Sequence, residues 1–246
     1  MTKPLAEPVG AMILAAGRGE RMRPLSDTTP KPLLEVGGKP LIVWQIEALA
    51  RAGFRDIVVN VSHLAARVVA ALGDGAALGV RLRWSIEPEP LEVAGGIATA
   101  LPLLPRGPAL IVSGDVFTSF DYASLLQRAT TIARQESAVR AHLVLVPNPR
   151  YHPSGDFALA GGLVALESSP RYTYANIGVY DSRLFHELPR GEKLKLLPYL
   201  QRWIADGQVS GETFDGAWAN VGTPDDLAAL DTALRHRASA AHNRDA

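Results

Sequence analysis

The segment that most constrains this chain is a short apolar run that breaks directly into a basic loop with two glycines. Residues 12–14 are Met, Ile and Leu, and an apolar run bounded by glycine is typical of a buried strand that ends in a loop. Gly17 and Gly19 follow within residues 15–32. Small residues after a strand let the backbone approach a ligand closely, and their N–H groups can cradle a phosphate. The segment therefore predicts an anion-binding loop at the carboxyl end of a strand.

The same loop concentrates positive charge. Its four cations are Arg18, Arg21, Arg23 and Lys31, and guanidinium and ammonium groups are the side chains that bind a triphosphate. A solvated basic loop is the alternative, which the glycines, the preceding strand and three prolines disfavour. Those prolines also predict that the stretch from Arg18 to Pro32 is not helical. The pattern excludes a Walker A loop, and it excludes the dinucleotide-binding fingerprint because the third glycine of that motif is absent.

Predicted strands and helices alternate through the first half of the chain. Apolar runs predict strands, and 3.6-residue periodicity predicts helices. In chain order they are a strand at 12–14, a helix at 41–52, a strand at 57–61, a helix at 64–72, a strand at 80–86, a helix at 97–104 and a strand at 110–112. Such alternation builds right-handed βαβ units. We expect an α/β fold with a Rossmann-like, doubly wound, mostly parallel sheet, in a single domain over residues 1–246.

The second half is expected to add a hairpin. Two short strands around the Gly161-Gly162 pair predict a β-hairpin, which we interpret as a lid inserted over the sheet. The elements predicted here are strands at 143–146 and 174–180, the hairpin at 157–166, helices at 196–205 and 224–237, and a polar, frayed tail at 238–246. Because doubly wound sheets bind ligands at the carboxyl ends of their strands, we expect the loops at 15–32, 87–96 and 113–116 to share one rim.

Composition excludes several classes of protein. The chain has 246 residues, with 25 Lys and Arg against 25 Asp and Glu, and this balance argues against a nucleic-acid-binding or membrane-binding surface. It has no cysteine, which excludes disulfides, and its six histidines contain no i, i+4 pair typical of zinc sites. No apolar run approaches the roughly 20 residues that span a bilayer, and residues 1–10 lack a secretory signal. We expect a cytoplasmic enzyme, either a monomer or a small homo-oligomer.

The loop strongly resembles the motif of the sugar nucleotidyltransferase family. Residues 14–33 match its pattern, L-A-A-G-x-G-x-R-[LM]-x-P-x-[TS]-x-x-x-P-K-P-[LM]. Further resemblances, which extend the similarity from residue 11 to about 235, lie at 91–96, 113–115, 176–180 and 218–224. The resemblance implies a Rossmann-like sheet with an inserted sugar-binding hairpin, with the nucleotide bound by about 11–120 and the sugar by about 140–222. It also implies transfer of a nucleotidyl group to a sugar 1-phosphate, with release of pyrophosphate.

The resemblance assigns the chemistry to a few positions. Arg21 would hold the triphosphate, Lys31 would contact the α-phosphate and the sugar phosphate, and Asp115 would hold Mg²⁺; these are the catalytic residues it implies. Asn220 stands where the family has a second metal-binding aspartate, and its neutral carbonyl oxygen can still ligate Mg²⁺. For Asp115 the alternative is that it caps the N-terminus of a helix, but Asp121 can fill that position instead. For Asn220 the alternative is that it marks a non-catalytic homologue.

The resemblance also implies binding residues. The nucleotide-binding set is Leu14, Ala15, Ala16, Gly17, Gly19, Arg21, Lys31, Gly95 and Gly96. The sugar-phosphate-binding set is Ser113, Asp156, Asn176 and Lys195. For Lys195 the alternative is a solvated lysine at the start of a helix.

Three segments narrow the resemblance. Residues 89–92, 114–121 and 154–157 are most similar to the branch that transfers UMP from UTP to N-acetylmuramate 1-phosphate in cell-wall sugar recycling. Val93 and Ser113 depart from the pattern, which has Thr and Asn there, and both departures bear on specificity rather than on the reaction. The alternatives are a guanylyltransferase for mannose 1-phosphate, a thymidylyltransferase for glucose 1-phosphate, or a non-catalytic subunit that binds nucleotide sugars.

Overall fold

A nine-stranded sheet forms the centre of the computed structural model, which describes residues 9–135 and 138–242. In chain order the strands are β1 (Gly10–Leu14), β2 (Glu35–Val36), β3 (Lys39–Pro40), β4 (Asp56–Val61), β5 (Arg81–Ile86), β6 (Pro108–Ser113), β7 (Val116–Thr118), β8 (Ala141–Val146), β9 (Phe157–Ala160), β10 (Leu163–Ala165), β11 (Arg171–Asp181), β12 (Val209–Thr213) and β13 (Trp218–Asn220). The order across the sheet is β5-β4-β1-β6-β11-β8-β12-β10-β9, while β2–β3 and β7–β13 form separate two-stranded sheets.

The helices cover both faces of this sheet. They are α1 (Leu25–Thr28), α2 (Leu41–Arg51), α3 (Ala65–Leu72), α4 (Glu92–Ala100), α5 (Ser124–Arg134), α6 (Leu196–Ala205) and α7 (Pro224–His242). Alternate side chains of a strand point to opposite faces, so Ile13 packs in a cluster with residues of α2, α3 and α5, whereas Met12 packs in a cluster with residues of α4 and α6. The doubly wound α/β arrangement is confirmed. Within the described residues, no helix has the length and apolar character needed to cross a membrane.

The first half of the sheet is parallel and the second half is mixed. β1 lies between β4 and β6 and runs parallel to both, with Leu14 opposite Ser113 at the carboxyl ends. β11 is antiparallel to β6 and to β8, and β8 is parallel to β12. The prediction of a mostly parallel sheet is therefore wrong for the second half. The sheet continues without a break from the expected nucleotide-binding part into the expected sugar-binding part.

The predicted hairpin is present but is not a separate lid. β9 and β10 pair antiparallel through a turn in which Gly161 and Gly162 have φ values of +58° and +82°, a conformation that glycine adopts without strain. β10 also pairs with β12, and β9 also pairs with β11. The hairpin therefore extends the edge of the main sheet.

Several predicted boundaries change in the structure. α4 begins at Glu92, so the second half of the predicted 87–96 loop is helical, and burial of Gly95 and Gly96 there offsets their low helix propensity. Single helical turns interrupt the stretch predicted not to be helical, at Glu20–Met22, Leu25–Thr28 and Lys31–Leu33. α7 runs to His242, which corrects the frayed tail for 238–242, and residues 243–246 lie outside the described residues.

Candidate active site

A cleft of about 1270 Å³ opens above the carboxyl ends of β1 and β6. All but two of the predicted site residues line it, and the exceptions are Gly95 and Gly96. The predicted residues in its wall are Leu14, Ala15, Ala16, Gly17, Gly19, Arg21, Lys31, Ser113, Asp115, Asp156, Asn176, Lys195 and Asn220. Residues that are far apart in sequence therefore meet at the edge of the sheet that the doubly wound topology predicts.

The loop after β1 keeps its backbone open toward the cleft. A Cβ atom built on Gly17 would have no neighbour within 4 Å, so a ligand can approach the main chain there. Gly19 has φ of +65°, and its carbonyl oxygen accepts a 2.7 Å hydrogen bond from Ser26 Oγ. Met22 is fully buried and fixes the loop to a small hydrophobic cluster. The loop is therefore held in shape without filling the cleft.

A buried polar network that the sequence analysis missed supports the start of this loop. Asn60 Oδ1 accepts a 2.9 Å hydrogen bond from the Ala15 N–H, and Asn60 Nδ2 donates to Glu87 Oε1 at 2.7 Å. Glu87 Oε2 accepts from the Leu91 N–H at 2.9 Å. Burial raises the pKa of Glu87, an effect that these two hydrogen bonds partly offset. The available signal was Asn60 itself, the polar residue in an otherwise apolar strand.

Gly96 makes room for this network. A Cβ atom at Gly96 would come within 2.7 Å of Asn60 Nδ2 and 2.8 Å of Glu87 Oε1. Gly96 is buried in α4 and does not line the cleft among the described residues. Its position gives it a packing role behind the loop, and direct nucleotide binding by Gly96 stays a prediction.

Gly95 leaves room for the segment that carries two lysines of the cleft. A Cβ atom on Gly95 would lie 2.1 Å from the carbonyl oxygen of Glu192. The Leu194 N–H donates to the Leu91 carbonyl at 2.9 Å, and the Leu194 carbonyl accepts from the N–H groups of residues 94 and 95. This close approach holds Lys193 and Lys195 at the rim of the cleft. Like Gly96, Gly95 lies outside the lining residues.

The carboxylate of Asp115 stands at the centre of the site. Its Oδ2 accepts a 2.5 Å hydrogen bond from Lys31 Nζ, and its Oδ1 accepts a 2.6 Å hydrogen bond from Ser113 Oγ. The side chains of Lys31 and Asp115 are 12% and 30% exposed, so the ion pair is only partly screened by solvent. The two residues therefore form a compact charged centre at the end of β6.

Asn220 lies beside this centre. β13 pairs with β7 so that Asn220 is opposite Val116, and the Val221 N–H donates to the Asp115 carbonyl oxygen at 2.9 Å. Asn220 Oδ1 is buried and has no hydrogen-bond partner in the described part of the chain. An orphaned amide oxygen next to a carboxylate fits a hard cation such as Mg²⁺. The described residues contain no group of three His, Cys, Asp or Glu that could hold a metal, so phosphates and water would supply the other ligands.

Arg21 and Tyr151 complete this end of the cleft. The guanidinium of Arg21 packs against Gly222, where a Cβ atom would lie 3.3 Å from an Arg21 nitrogen. Tyr151, which the sequence analysis missed, lines the cleft with 61% of its surface exposed. The pKa of its phenol is raised by partial burial first and by Asp226 second, while Arg21 lowers it. Nothing in its sequence context distinguished Tyr151 from an ordinary loop tyrosine.

The part of the cleft expected to bind the sugar is built by a loop and by an irregular strand. Asp156 Oδ1 is 3.0 Å from His152 Nε2, and its Oδ2 accepts from the Tyr174 N–H at 2.8 Å. Asn176 has φ of +57° where the β8–β11 register shifts between Tyr174 and Gly178. The left-handed conformation is one that asparagine tolerates, and the bulge brings Asn176 to the cleft wall. The phosphate-binding roles of Asp156 and Asn176 stay predictions.

With this geometry in view, the fold and site define a class of enzyme. Residues 10–155 match the model of the nucleotidyl transferase family, and the chain belongs to that family. It is 46% identical to the N-acetylmuramate alpha-1-phosphate uridylyltransferase of Neisseria meningitidis over 87% of this chain and 93% of that one. It is 35% identical to the enzyme of the same name from Caulobacter vibrioides over 87% and 92%.

A solved structure shows the same fold at lower identity. A Bacillus anthracis protein described as a glucose-1-phosphate thymidylyltransferase superposes with a TM-score of 0.81 at 21% identity. The match covers 93% of this chain and 96% of that one. The family resemblance and the α/β fold expected from the sequence are both confirmed.

Proposed function

We propose that this protein transfers UMP from UTP to N-acetylmuramate 1-phosphate and releases pyrophosphate. The observation that carries the proposal is the charged centre of Lys31 and Asp115, with the orphaned Asn220 oxygen beside it, at the mouth of an open phosphate loop. The similarity to uridylyltransferases over most of the chain supports the choice of base and sugar. An oxygen of the sugar phosphate attacks the α-phosphorus of UTP, and the bond from that phosphorus to the β-phosphate breaks.

The chain's own residues would position this reaction and neutralise charge. The attacking phosphate oxygen is already ionised near neutral pH, so no general base is required, and positioning with electrostatic stabilisation supplies the catalysis. Arg21 would hold the triphosphate and the departing pyrophosphate through its planar fork. Lys31 would leave Asp115 and contact the α-phosphate and the sugar phosphate. Asp115 and Asn220 would hold Mg²⁺, which when bound offsets negative charge on the phosphates.

The proposal includes the cellular pathway and compartment in which the reaction takes place. Release of a nucleotide-linked N-acetylmuramate suits the recycling of cell-wall sugars in the cytoplasm, where UTP is present. The partners are therefore a nucleoside triphosphate, with UTP first, and a sugar 1-phosphate. We propose no partner beyond these two substrates. We also propose that the protein is a monomer or a small homo-oligomer.

Pyrophosphate release tests the function directly. The pure protein is mixed with Mg²⁺, each of UTP, GTP, CTP and dTTP, and each of N-acetylmuramate, mannose and glucose 1-phosphates. We expect the highest kcat/KM for UTP with N-acetylmuramate 1-phosphate. A higher value for GTP with mannose 1-phosphate or dTTP with glucose 1-phosphate would replace the proposal by that activity. Tight nucleotide-sugar binding without any turnover would instead show a non-catalytic binding subunit.

A further inference from the structure

Two phenols that the proposed phosphate chemistry does not use lie together in the wall of the cleft. The hydroxyl oxygens of Tyr174 and Tyr180, both on β11, are 2.8 Å apart, and both residues line the cleft. Tyr180 is only 1% exposed. Burial raises the pKa of both phenols above the ordinary value of 10.0. Both groups therefore stay protonated across the neutral pH range.

Hydrogen-bond counting leaves this pair with a spare donor. Each phenol carries one hydrogen, and only one of the two hydrogens can lie between the two oxygens. Within residues 9–135 and 138–242, neither hydroxyl has a hydrogen-bond partner other than its neighbour. A buried donor without an acceptor is unfavourable. A donor of this kind in a cleft wall is satisfied when a bound ligand supplies the acceptor.

The apolar side chains around the pair favour an acceptor that is a neutral group with apolar substituents. The hydrophobic cluster that contains both phenols also contributes apolar side chains to the same cleft wall, which are Leu14, Val93, Ile97, Ile111, Phe157, Leu196 and Leu200. A charged acceptor would lose its hydration against such a wall, whereas an amide carbonyl needs one good hydrogen bond to be accommodated. A methyl group attached to that carbonyl would bury apolar surface there.

We propose that Tyr174 and Tyr180 form a subsite for an N-acyl group on the sugar, with one phenol donating to the acyl carbonyl and the methyl group against the apolar wall. This inference rests on the proposed function, because the cleft must first accept a sugar 1-phosphate. The pair selects N-acetylated sugars, since a site built to donate a hydrogen bond discriminates against an analogue that lacks the acceptor. It takes no part in the bond-breaking step.

The test compares sugars that change by one substituent at a time, because N-acetylglucosamine lacks the lactyl ether of N-acetylmuramate and glucose also lacks the N-acetyl group. KM and kcat are measured with UTP and N-acetylmuramate, N-acetylglucosamine or glucose 1-phosphate, for wild type and the double variant Tyr174→Phe/Tyr180→Phe. Tyr199→Phe is the control, because Tyr199 packs on Trp203 in the same region but is not a lining residue. We expect the double variant to raise KM for both acetylated sugars roughly tenfold, with glucose 1-phosphate and kcat unchanged. Each single variant shows which phenol donates.

A second measurement separates this role from a structural one. Replacing both partners of a hydrogen bond by apolar groups of similar shape is nearly neutral or stabilising, so the ligand-free double variant should melt at or above the wild-type Tm. If the double variant raises KM equally for all three sugar phosphates, the phenol donates to a hydroxyl group that the three sugars share. That result would overturn the acyl subsite. Unchanged KM values for the acetylated sugars, or a lowered Tm with equal kinetic losses, would overturn it as well. A wild-type enzyme that uses no N-acetylated sugar phosphate would refute the proposed function itself.

Discussion

The ammonium group of Lys31 lies 2.5 Å from a carboxylate oxygen of Asp115, although 84 positions separate the two residues in the sequence. Each charge neutralises the other at a partly buried place. The proposed reaction gives each group another partner, phosphate for Lys31 and Mg²⁺ for Asp115. In the proposed reaction, we expect this ion pair to hold both side chains in place until the substrates bind.

Lys31→Ala should remove most of the turnover. Loss of one phosphate-contacting cation costs about 3 kcal/mol of transition-state stabilisation, equivalent to roughly a hundredfold in kcat/KM. Steady-state kinetics measures the loss, and circular dichroism checks that the fold is kept. Lys39→Ala is the matched control, because Lys39 pairs with Glu47 outside the cleft. A kcat/KM close to wild type for Lys31→Ala would refute the role of Lys31.

Asn220→Asp should strengthen the response to Mg²⁺. The variant places a second carboxylate beside Asp115, and an added negative charge favours a bound cation. We expect the Mg²⁺ concentration for half-maximal activity to fall roughly tenfold, about 1.4 kcal/mol, and Mg²⁺ to raise Tm more than it does in wild type. Titration of activity and Tm with Mg²⁺ measures both.

Three further results complete the Asn220 test. Asp115→Asn should lose most activity, because it removes the carboxylate from the same site. An unchanged Mg²⁺ dependence in Asn220→Asp would show that Asn220 does not lie at a metal. A wild-type protein without activity that Asn220→Asp rescues would show a non-catalytic homologue.

Gly95→Ala should mainly destabilise the fold, whereas Gly17→Ala should mainly weaken nucleotide binding. A Cβ on Gly95 would collide with the Glu192 carbonyl, whereas one on Gly17 would meet open space. Overpacking of this kind costs typically 1–3 kcal/mol, so we expect Gly95→Ala to lower Tm and to raise KM for the sugar phosphate through the displaced Lys195 segment. Gly17→Ala should keep Tm and weaken UTP binding, measured by calorimetry. Equal Tm for Gly95→Ala and wild type would contradict the packing role.

Acid should destabilise the protein partly through Glu212. His142 Nε2 lies 2.9 Å from Glu212 Oε1, and this hydrogen bond is the main cause of a lowered Glu212 pKa. A carboxyl whose pKa is lower in the folded state binds protons less readily there, so its contribution is complete above the unfolded value near 4.5 and disappears as the pH falls through the lowered value. Denaturant unfolding of Glu212→Gln should therefore show a flatter loss of stability than wild type below pH 4.5. Parallel curves would contradict this contribution.

The sequence by itself determined the basic, glycine-containing loop after the first strand, the alternating elements and the family. These features are local: a strand, its glycines and its cations lie within residues 12–32, and periodicity fixes which face of each helix and strand is buried. The bounds of α6 were predicted to the residue, because its apolar spacing is regular. The candidate residues at 21, 31, 115 and 220 came from motifs in the linear sequence, and the topology brings them to one cleft.

Only the tertiary structure decided how the sheet continues and what surrounds Gly95 and Gly96. β12 and the β7–β13 pair were missed, and α5 was expected only as a helix without bounds that Asp121 could cap, since these segments are short or polar and become regular through partners distant in sequence. Gly95 and Gly96 lie in α4 rather than in the predicted loop, and close approach by residues 60, 87 and 192 leaves no room for a side chain at either position. The Lys31–Asp115 pair, the orphaned Asn220 oxygen and the phenol pair all depend on distances across the fold. Such distances are set by packing and burial of the whole chain, which no local pattern encodes.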